Sequence, residues 1–258
     1  RDGEGIISTI NKLDSLQILH TGTFTCQAER DSLYPLVINI KNISVALLNY
    51  TYGTNGIKVS PPVIVNLIDK VQVAKDIEKA KRLNADIIIL FLHWGTEYDT
   101  IPSGEQIALA DYFLSLGADV IIGSHPHVIQ KMVMKTDEAD GRKKPVIYSL
   151  GNFVSNQRRQ KTDGGAVVRI DFALIDGKLK VIQAGYYLTW VYTPMENGHR
   201  RYYILPCSEF ENKPDFFGSY ADYEIMMRFV SDSRRLLESQ NVNIKENIFT
   251  FQAPDIMP

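Results

Sequence analysis

Apolar positions recur in two rhythms along this chain, and the change between them divides it. Near the start, Ile6, Ile7, Ile10, Leu13 and Leu16 recur at helical spacing and predict a helix over 5–16. Leu36-Val37-Ile38 and Val45-Ala46-Leu47-Leu48 predict two strands joined as a hairpin through Lys41-Asn42. Tyr52-Gly53-Thr54-Asn55-Gly56 and Pro61-Pro62 mark a loop of several turns, long enough to carry function. A helix follows within 64–83, ending near Asn84. Residues 86–92 and 119–122 are rich in β-branched side chains and lack alternation, the pattern of strands covered on both faces. Between them Pro102-Ser103-Gly104 opens a helix over 105–116, closed by Gly117. A strand, a helix and a strand in that order predict a crossover between parallel strands.

From Val128 onward the rhythm becomes antiparallel. Strands are predicted over 128–134, 146–150, 165–174 and 179–190, with a polar turn at 137–144 and a tight one at Asp176-Gly177. Asp163-Gly164-Gly165 and Asn197-Gly198 also read as turns. Past 190, Pro, Asn and Gly surround a short strand over 201–205 and a helix over 219–237. In that helix Tyr223, Met226, Met227, Val230 and Leu236 or Leu237 form a core-facing stripe. The expected organisation is an α/β part over 1–190 and an extension over 191–258 whose one helix packs on it.

Charge narrows the class. With 28 basic and 30 acidic residues interspersed, the net charge of −2 leaves no footprint for nucleic acid or a membrane surface. Cys26 and Cys207 are too few for a disulfide framework or a thiolate metal site. No apolar stretch approaches the roughly 18 residues that span a bilayer. The chain starts without Met, and Arg1-Asp2-Gly3-Glu4-Gly5 reads like the lead into a helix already under way, so a piece of a longer protein is expected.

Three of the five histidines follow buried strands directly: His93 after 86–92, and His125 and His127 after 119–122. Ligand sites of parallel sheets lie beyond those carboxyl ends. In an extended segment residues i and i+2 point the same way, and Pro126 biases His125 toward extended geometry. Five histidines in 258 positions produce a His-x-His by chance roughly one time in ten, so placement rather than the motif carries the reading. Three converging imidazoles suit a divalent transition metal.

Around them, Trp94 beside Gly95 offers a flat apolar wall and Tyr98 a polar aromatic tip. Glu97 offers a general base, an acceptor that orients an imidazole, or a substrate contact; the bland alternative is a solvated loop carboxylate. Asn152 follows a strand and is placed to reach the site, although asparagine after Gly151 is also ordinary turn chemistry. Arg158-Arg159-Gln160-Lys161 is a solvated basic loop unless the substrate is anionic. His20 and His199 lack such context. Ser124 adjoins His125 without the glycine-flanked elbow of a nucleophile.

The residues His93-Trp94-Gly95 with Glu97-Tyr98, Pro102, Gln106, Leu109-Ala110, Gly117-Ala118-Asp119, Ile122-Gly123-Ser124-His125-Pro126-His127-Val128, Gln130 and Ser149-Leu150-Gly151-Asn152-Phe153 resemble the bacterial poly-gamma-glutamate capsule synthesis (CapA-like) family. The resemblance covers roughly residues 3–172. It implies the calcineurin-like metallophosphoesterase superfamily, with an α/β fold: a double β-sheet sandwich flanked by helices in four layers, α/β/β/α. It further implies that His93, His125 and His127 are the three later histidine ligands of a centre of two divalent ions, manganese, iron or zinc. The earlier ligands and the N-terminal strands are then expected before Arg1. Glu97 and Asn152 become candidate catalytic residues, and Trp94, Tyr98 and Ser124 candidate substrate contacts.

The implied activity is hydrolysis of phosphoester or amide bonds in an anionic envelope polymer or its precursor. A non-catalytic component that binds such a polymer is the alternative. The implied partners are an anionic polymer or phosphorylated small substrate and other capsule-assembly proteins. The implied setting is the bacterial envelope outside the cytoplasm, reached through an anchor before Arg1.

Overall fold

The structure, a computed structural model, describes residues 3–249. Helix α1 (Glu4–Ser15) leads through β1 (Thr23–Phe24) and α2 (Gln27–Leu33) to a hairpin of β2 (Leu36–Ile40) and β3 (Ile43–Thr51). Lys41 and Asn42 both hold positive φ (50° and 66°), the geometry of a tight two-residue hairpin turn. Then follow β4 (Ile64–Val65), α3 (Lys70–Arg82), β5 (Ile87–His93), α4 (Gly104–Ser115), β6 (Val120–Ser124), β7 (Met132–Thr136) and β8 (Lys143–Ile147). The rest comprises β9 (Gly164–Ile175), β10 (Lys178–Tyr192), the small hairpin β11 (Met195–Glu196) and β12 (His199–Arg200), β13 (Tyr203–Pro206), α5 (Cys207–Phe210), α6 (Tyr220–Gln240) and β14 (Lys245–Glu246).

Two sheets carry the α/β fold. The first has the order β2-β3-β5-β6-β8-β7, with β3, β5, β6 and β8 parallel. The second centres on β10, flanked by β9 and β13 antiparallel and by β14 parallel. The antiparallel half begins later than the sequence predicts. The hairpin β7–β8 belongs to the first sheet, where Val146 and Ile147 pair in parallel with Ile121 and Ile122. Local pattern reveals that two strands are joined by a turn, whereas the buried flanks of Val146 and Ile147 decide which sheet they enter.

Gly164 and Gly165 are not turn residues either. They open β9, and a Cβ on them would fall 2.5 Å from the carbonyls of Thr189 and Asn152. Their Asp163 is buried, with one carboxylate oxygen accepting from the Trp190 indole at 2.8 Å and burial raising its pKa.

Alternating side chains of the first sheet feed two cores. Leu48, Leu90, Leu92 and Ile121 meet Val73 and Ile77 of α3 and Phe113 of α4 on one face. Val120, Met132 and Ile147 point the other way, toward Tyr186, Leu188 and Trp190 of β10 and toward Met226, Phe229, Val230 and Leu237 of α6. The stripe read in the C-terminal helix is therefore core-facing. Caps start two of the helices: Asp69 accepts from Gln72 N–H at 2.7 Å, a start the sequence reading left open, and Ser103 and Gln106 form a reciprocal capping box.

One polar cluster lies inside the first core. Arg30 Nη2 meets Asp76 Oδ2 at 2.6 Å, Tyr50 donates to that same oxygen at 2.8 Å, and Arg30 Nε donates to Asn66 Oδ1 at 2.7 Å. Both charged partners are buried. Removing one partner strands the other charge in a medium that solvates it poorly. Asp76→Ala is expected to lower the unfolding free energy by about 3–5 kcal/mol. Urea denaturation checks this, and an unchanged midpoint would contradict the buried pairing.

Candidate metal centre

The pairing register levels three strand ends. Thr51 of β3 stands opposite His93 of β5, and His93 opposite Ser124 of β6. The loops beyond are laced together by their backbones: Tyr52 N–H donates to the His93 carbonyl (2.8 Å), Trp94 N–H to Ser124 (3.0 Å) and Tyr98 N–H to Pro126 (2.8 Å). A ring cluster results. His93 and His125 have centroids 4.5 Å apart, His125 and His127 6.2 Å, and Tyr52 lies 4.5 Å from His125.

The route to convergence differs from the extended His-x-His expected. His125 and His127 hold φ of 103° and 60°, and Tyr98 holds 69°. Pro126 keeps its predecessor out of the helical region, and the chain escapes to positive φ rather than to a strand. Such conformations cost of order 1–3 kcal/mol each, and the interloop hydrogen bonds and close packing hold them. Gly123 shows how close that packing is: a Cβ there would lie 2.0 Å from the Tyr148 carbonyl oxygen.

Hydrogen bonding sets two tautomers. The Thr51 hydroxyl donates to the Gly53 carbonyl (2.9 Å), so it accepts from His93 Nδ1–H at 2.9 Å. Asn152 donates its amide to the Thr162 carbonyl (2.7 Å), which turns Oδ1 toward His127 Nδ1 at 2.9 Å. An amide oxygen only accepts, so Nδ1 of His127 carries the proton. In both rings Nε2 keeps its lone pair, the state a ligand requires. Burial lowers the pKa of His93, and the neighbouring His125 and His127 push it the same way. Burial also lowers that of His125, against the pull of Glu97.

The remaining expected residues fall as follows. Glu97 is exposed and acts on His125 through its charge. Asn152 touches His127. Tyr98 stacks on His127 with centroids 6.0 Å apart, and Ser124 is exposed at the end of β6. Trp94 is 1% exposed, its indole donating to the Tyr148 carbonyl at 2.9 Å. It lies under the site as packing, so the flat wall expected of it is corrected: the aromatic faces beside the histidines come from Tyr52 and Tyr98. His20 pairs with Asp14, and His199 lies in β12.

Sequence reading missed Thr51, Tyr52 and the buried pair Gln106–Gln130, whose 3.0 Å bond leads on to the Asp99 carbonyl at 2.8 Å. The loop opening at Tyr52 was the available signal for the first two.

The donor set fits a transition metal in chemistry and tautomer. In position it does not close a shell, because no three His, Cys, Asp or Glu groups among the described residues gather closely enough to hold an ion.

Comparison with known proteins follows the same residues. The sequence profile of the family described as "Bacterial capsule synthesis protein PGA_cap" matches residues 1–157. The chain belongs to that family. A capsule biosynthesis protein CapA of Bacillus anthracis is 36% identical over 143 residues, covering 51% of this chain and 32% of that protein. A PGA biosynthesis protein CapA of Bacillus subtilis (strain 168) is 39% identical over 93 residues, covering 36% of this chain and 23% of that protein. The matched region thus spans a third or less of these relatives' length.

Among solved structures, the NAD nucleotidase NadN of Haemophilus influenzae aligns over 91% of this chain and 43% of its own, at TM-score 0.43 and 10% identity. The calcineurin-like phosphoesterase YfkN of Bacillus subtilis aligns over 59% of this chain and 48% of its own, at TM-score 0.35 and 20% identity. No helix of the described residues in this capsule synthesis family member is long and apolar enough to cross a membrane.

Asn152→Ala frees His127 to rotate and change tautomer. Loss of such a partner commonly costs 10- to 100-fold in metal affinity, and that loss of cobalt or manganese affinity is expected here with the thermal midpoint little changed. A pH effect follows from the depressed histidines. Their folded pKa lies below the unfolded value, so the unfolded chain binds protons first as pH falls. Their contribution is full above the ordinary 6.5 and is lost as pH drops through the folded values. Imidazole C–H resonances of His93 and His125 in the metal-free protein are expected to titrate below 6.5; midpoints at or above it would contradict the placement.

Proposed function

We propose that this capsule synthesis family member is a metal-dependent hydrolase acting on phosphoester or amide bonds in an anionic envelope polymer or its precursor. One observation carries the reading. At the carboxyl ends of parallel strands, His93 and His127 are held by Thr51 and Asn152 in the tautomer that leaves Nε2 unprotonated. Holding a ring so is characteristic of ligand histidines. The names of the family and of the two Bacillus relatives refer to capsule and PGA synthesis, which supports an envelope polymer as the target and, as part of the proposal, an extracytoplasmic setting.

On this reading His93, His125 and His127 would contribute imidazole donors to a manganese, iron or zinc ion, whose shell they do not close by themselves. When bound, such an ion polarises the scissile group and lowers the pKa of water. The chain's own residues do the rest. Thr51 and Asn152 fix the ligand rings, and Tyr52 and Tyr98 lie against their faces. Glu97, acting on His125 through its charge, offers a carboxylate oxygen that can hold a proton during turnover. A second ion calls for further ligands, including a bridging carboxylate, from parts of the protein beyond these residues.

The test uses the whole protein loaded with manganese, iron or zinc against bis(p-nitrophenyl) phosphate and a γ-linked glutamate oligomer. Turnover that falls at least a thousandfold in His125→Ala is expected. Stoichiometric metal binding without turnover on either substrate would sink the hydrolase reading. A second reading, polymer binding without catalysis, draws on the exposed basic loop at Arg159 and Lys161. It predicts that the double variant His125→Ala, His127→Ala retains polymer binding and capsule output.

A further inference from the structure

We propose that the recess beside His127, between Tyr98 and the Arg159–Lys161 loop, is a subsite that clamps one oxyanion group of the substrate, with Arg159 as its specificity-determining residue. This deepens the preceding reading by naming where an anionic chain is gripped next to the reacting centre. The recess measures about 370 Å³, and Tyr98, Arg159, Gln160, Lys161, Thr162 and Asp232 contribute to its lining. Its position follows from ring stacking. Tyr98 lies against His127, and the Arg159 guanidinium carbon sits 4.7 Å from the Tyr98 ring centroid.

All three cations of the basic run are exposed, and they differ in how their donors are committed. Arg158 is turned to the backbone, donating to the carbonyls of Val191 and Ser155 at 2.7 Å each. Arg159 and Lys161 are exposed, and among the described residues neither head group makes a hydrogen bond or ion pair. A planar guanidinium presents paired N–H donors that match a carboxylate or phosphate, and a stack on an aromatic face holds that fork in place beforehand. Pre-positioning reduces the ordering cost that binding otherwise carries.

The loop itself is anchored to the site. Buried Thr162 donates from both its backbone N–H and its hydroxyl to the Arg159 carbonyl, while its own carbonyl accepts from Asn152, the residue that orients His127. Asp232 gives the recess an acidic side, where it accepts from Gln160 at 2.6 Å. That carboxylate disfavours a second anion there and leaves a place for one, at Arg159 and Lys161. A carboxylate of a polymer unit and a phosphate both present such an oxyanion, and the two arms of the test separate them.

The experiment is isothermal titration of the metal-free chain with a γ-linked glutamate oligomer and, separately, with inorganic phosphate. Wild type is compared with Arg159→Ala, Arg159→Lys and the distant surface variant Lys178→Ala. Arg159→Ala is expected to weaken binding tenfold or more, Arg159→Lys to recover part of it, and Lys178→Ala to leave it unchanged, with equal thermal midpoints throughout. Arg159-dependent binding of the oligomer alone assigns a carboxylate; Arg159-dependent binding of phosphate assigns a phosphate-type group. The proposal is overturned if wild type binds neither probe, or if Arg159→Ala binds as wild type does. Because no metal or turnover enters the readout, a protein that hydrolyses yet ignores Arg159→Ala loses only this subsite. One that grips oxyanions through Arg159 yet never turns over loses only the hydrolase reading.

Discussion

Parallel pairing of β3, β5 and β6 brings Thr51, His93 and Ser124 level at one edge of the first sheet, and the candidate centre exists only because of that register. A shift of one residue in any of the three strands would turn each side chain to the opposite face and break the row. The register is protected by burial on both sides: Leu48, Leu90 and Ile121 pack under α3 and α4, while Val120 and Ile147 pack toward the second sheet. Two cores therefore hold one row of chemistry in place. The strained loops that follow can curl because the strands beneath them cannot slide.

Legibility in the sequence tracks how local the deciding force is. Helices α1, α3, α4 and α6, the β2–β3 turn at Lys41-Asn42 and the strands ending in histidines were readable because each rests on periodicity or turn chemistry, whereas the short α2 and α5 carry too few turns to show a period. Membership of β7 and β8 in the first sheet was not, since pairing between Ile121 and Val146 is a choice among distant partners. The same holds at the site. His93, His125 and His127 stood out by placement, but the conformation that joins them did not, because His125 and His127 adopt positive φ against the extended reading of His-Pro-His. Thr51 was invisible as a partner of His93, its 42-residue separation being closed only by the sheet.

Charge behaves in two ways in this molecule, and solvent decides which. Arg30 and Asp76 are enclosed with Tyr50 and Asn66, every polar atom of the pair answered by a neighbour, so their interaction fixes α2 against α3 and β3. Asn66 extends that fixation toward the site, because its carbonyl accepts from the Thr51 backbone N–H at 2.9 Å. Arg159, in contrast, stays in water with its donors uncommitted, which serves folding little and leaves it available to a ligand. The reading of the run as a solvated loop thus applies to Arg159 and not to Arg158, whose donors go to backbone carbonyls.

The line from Arg159 through Thr162 and Asn152 to His127 joins the outward cation to an inward ring by hydrogen bonds and one short stretch of backbone. Asn152 cannot reorient without breaking its bond to the Thr162 carbonyl, and Thr162, buried, cannot move without taking the Arg159 carbonyl with it. The backbone that carries Arg159 and the ring of His127 are thereby held in one frame. On this geometry the anchoring of the outward cation and the orientation of the donor nitrogen belong to one small network.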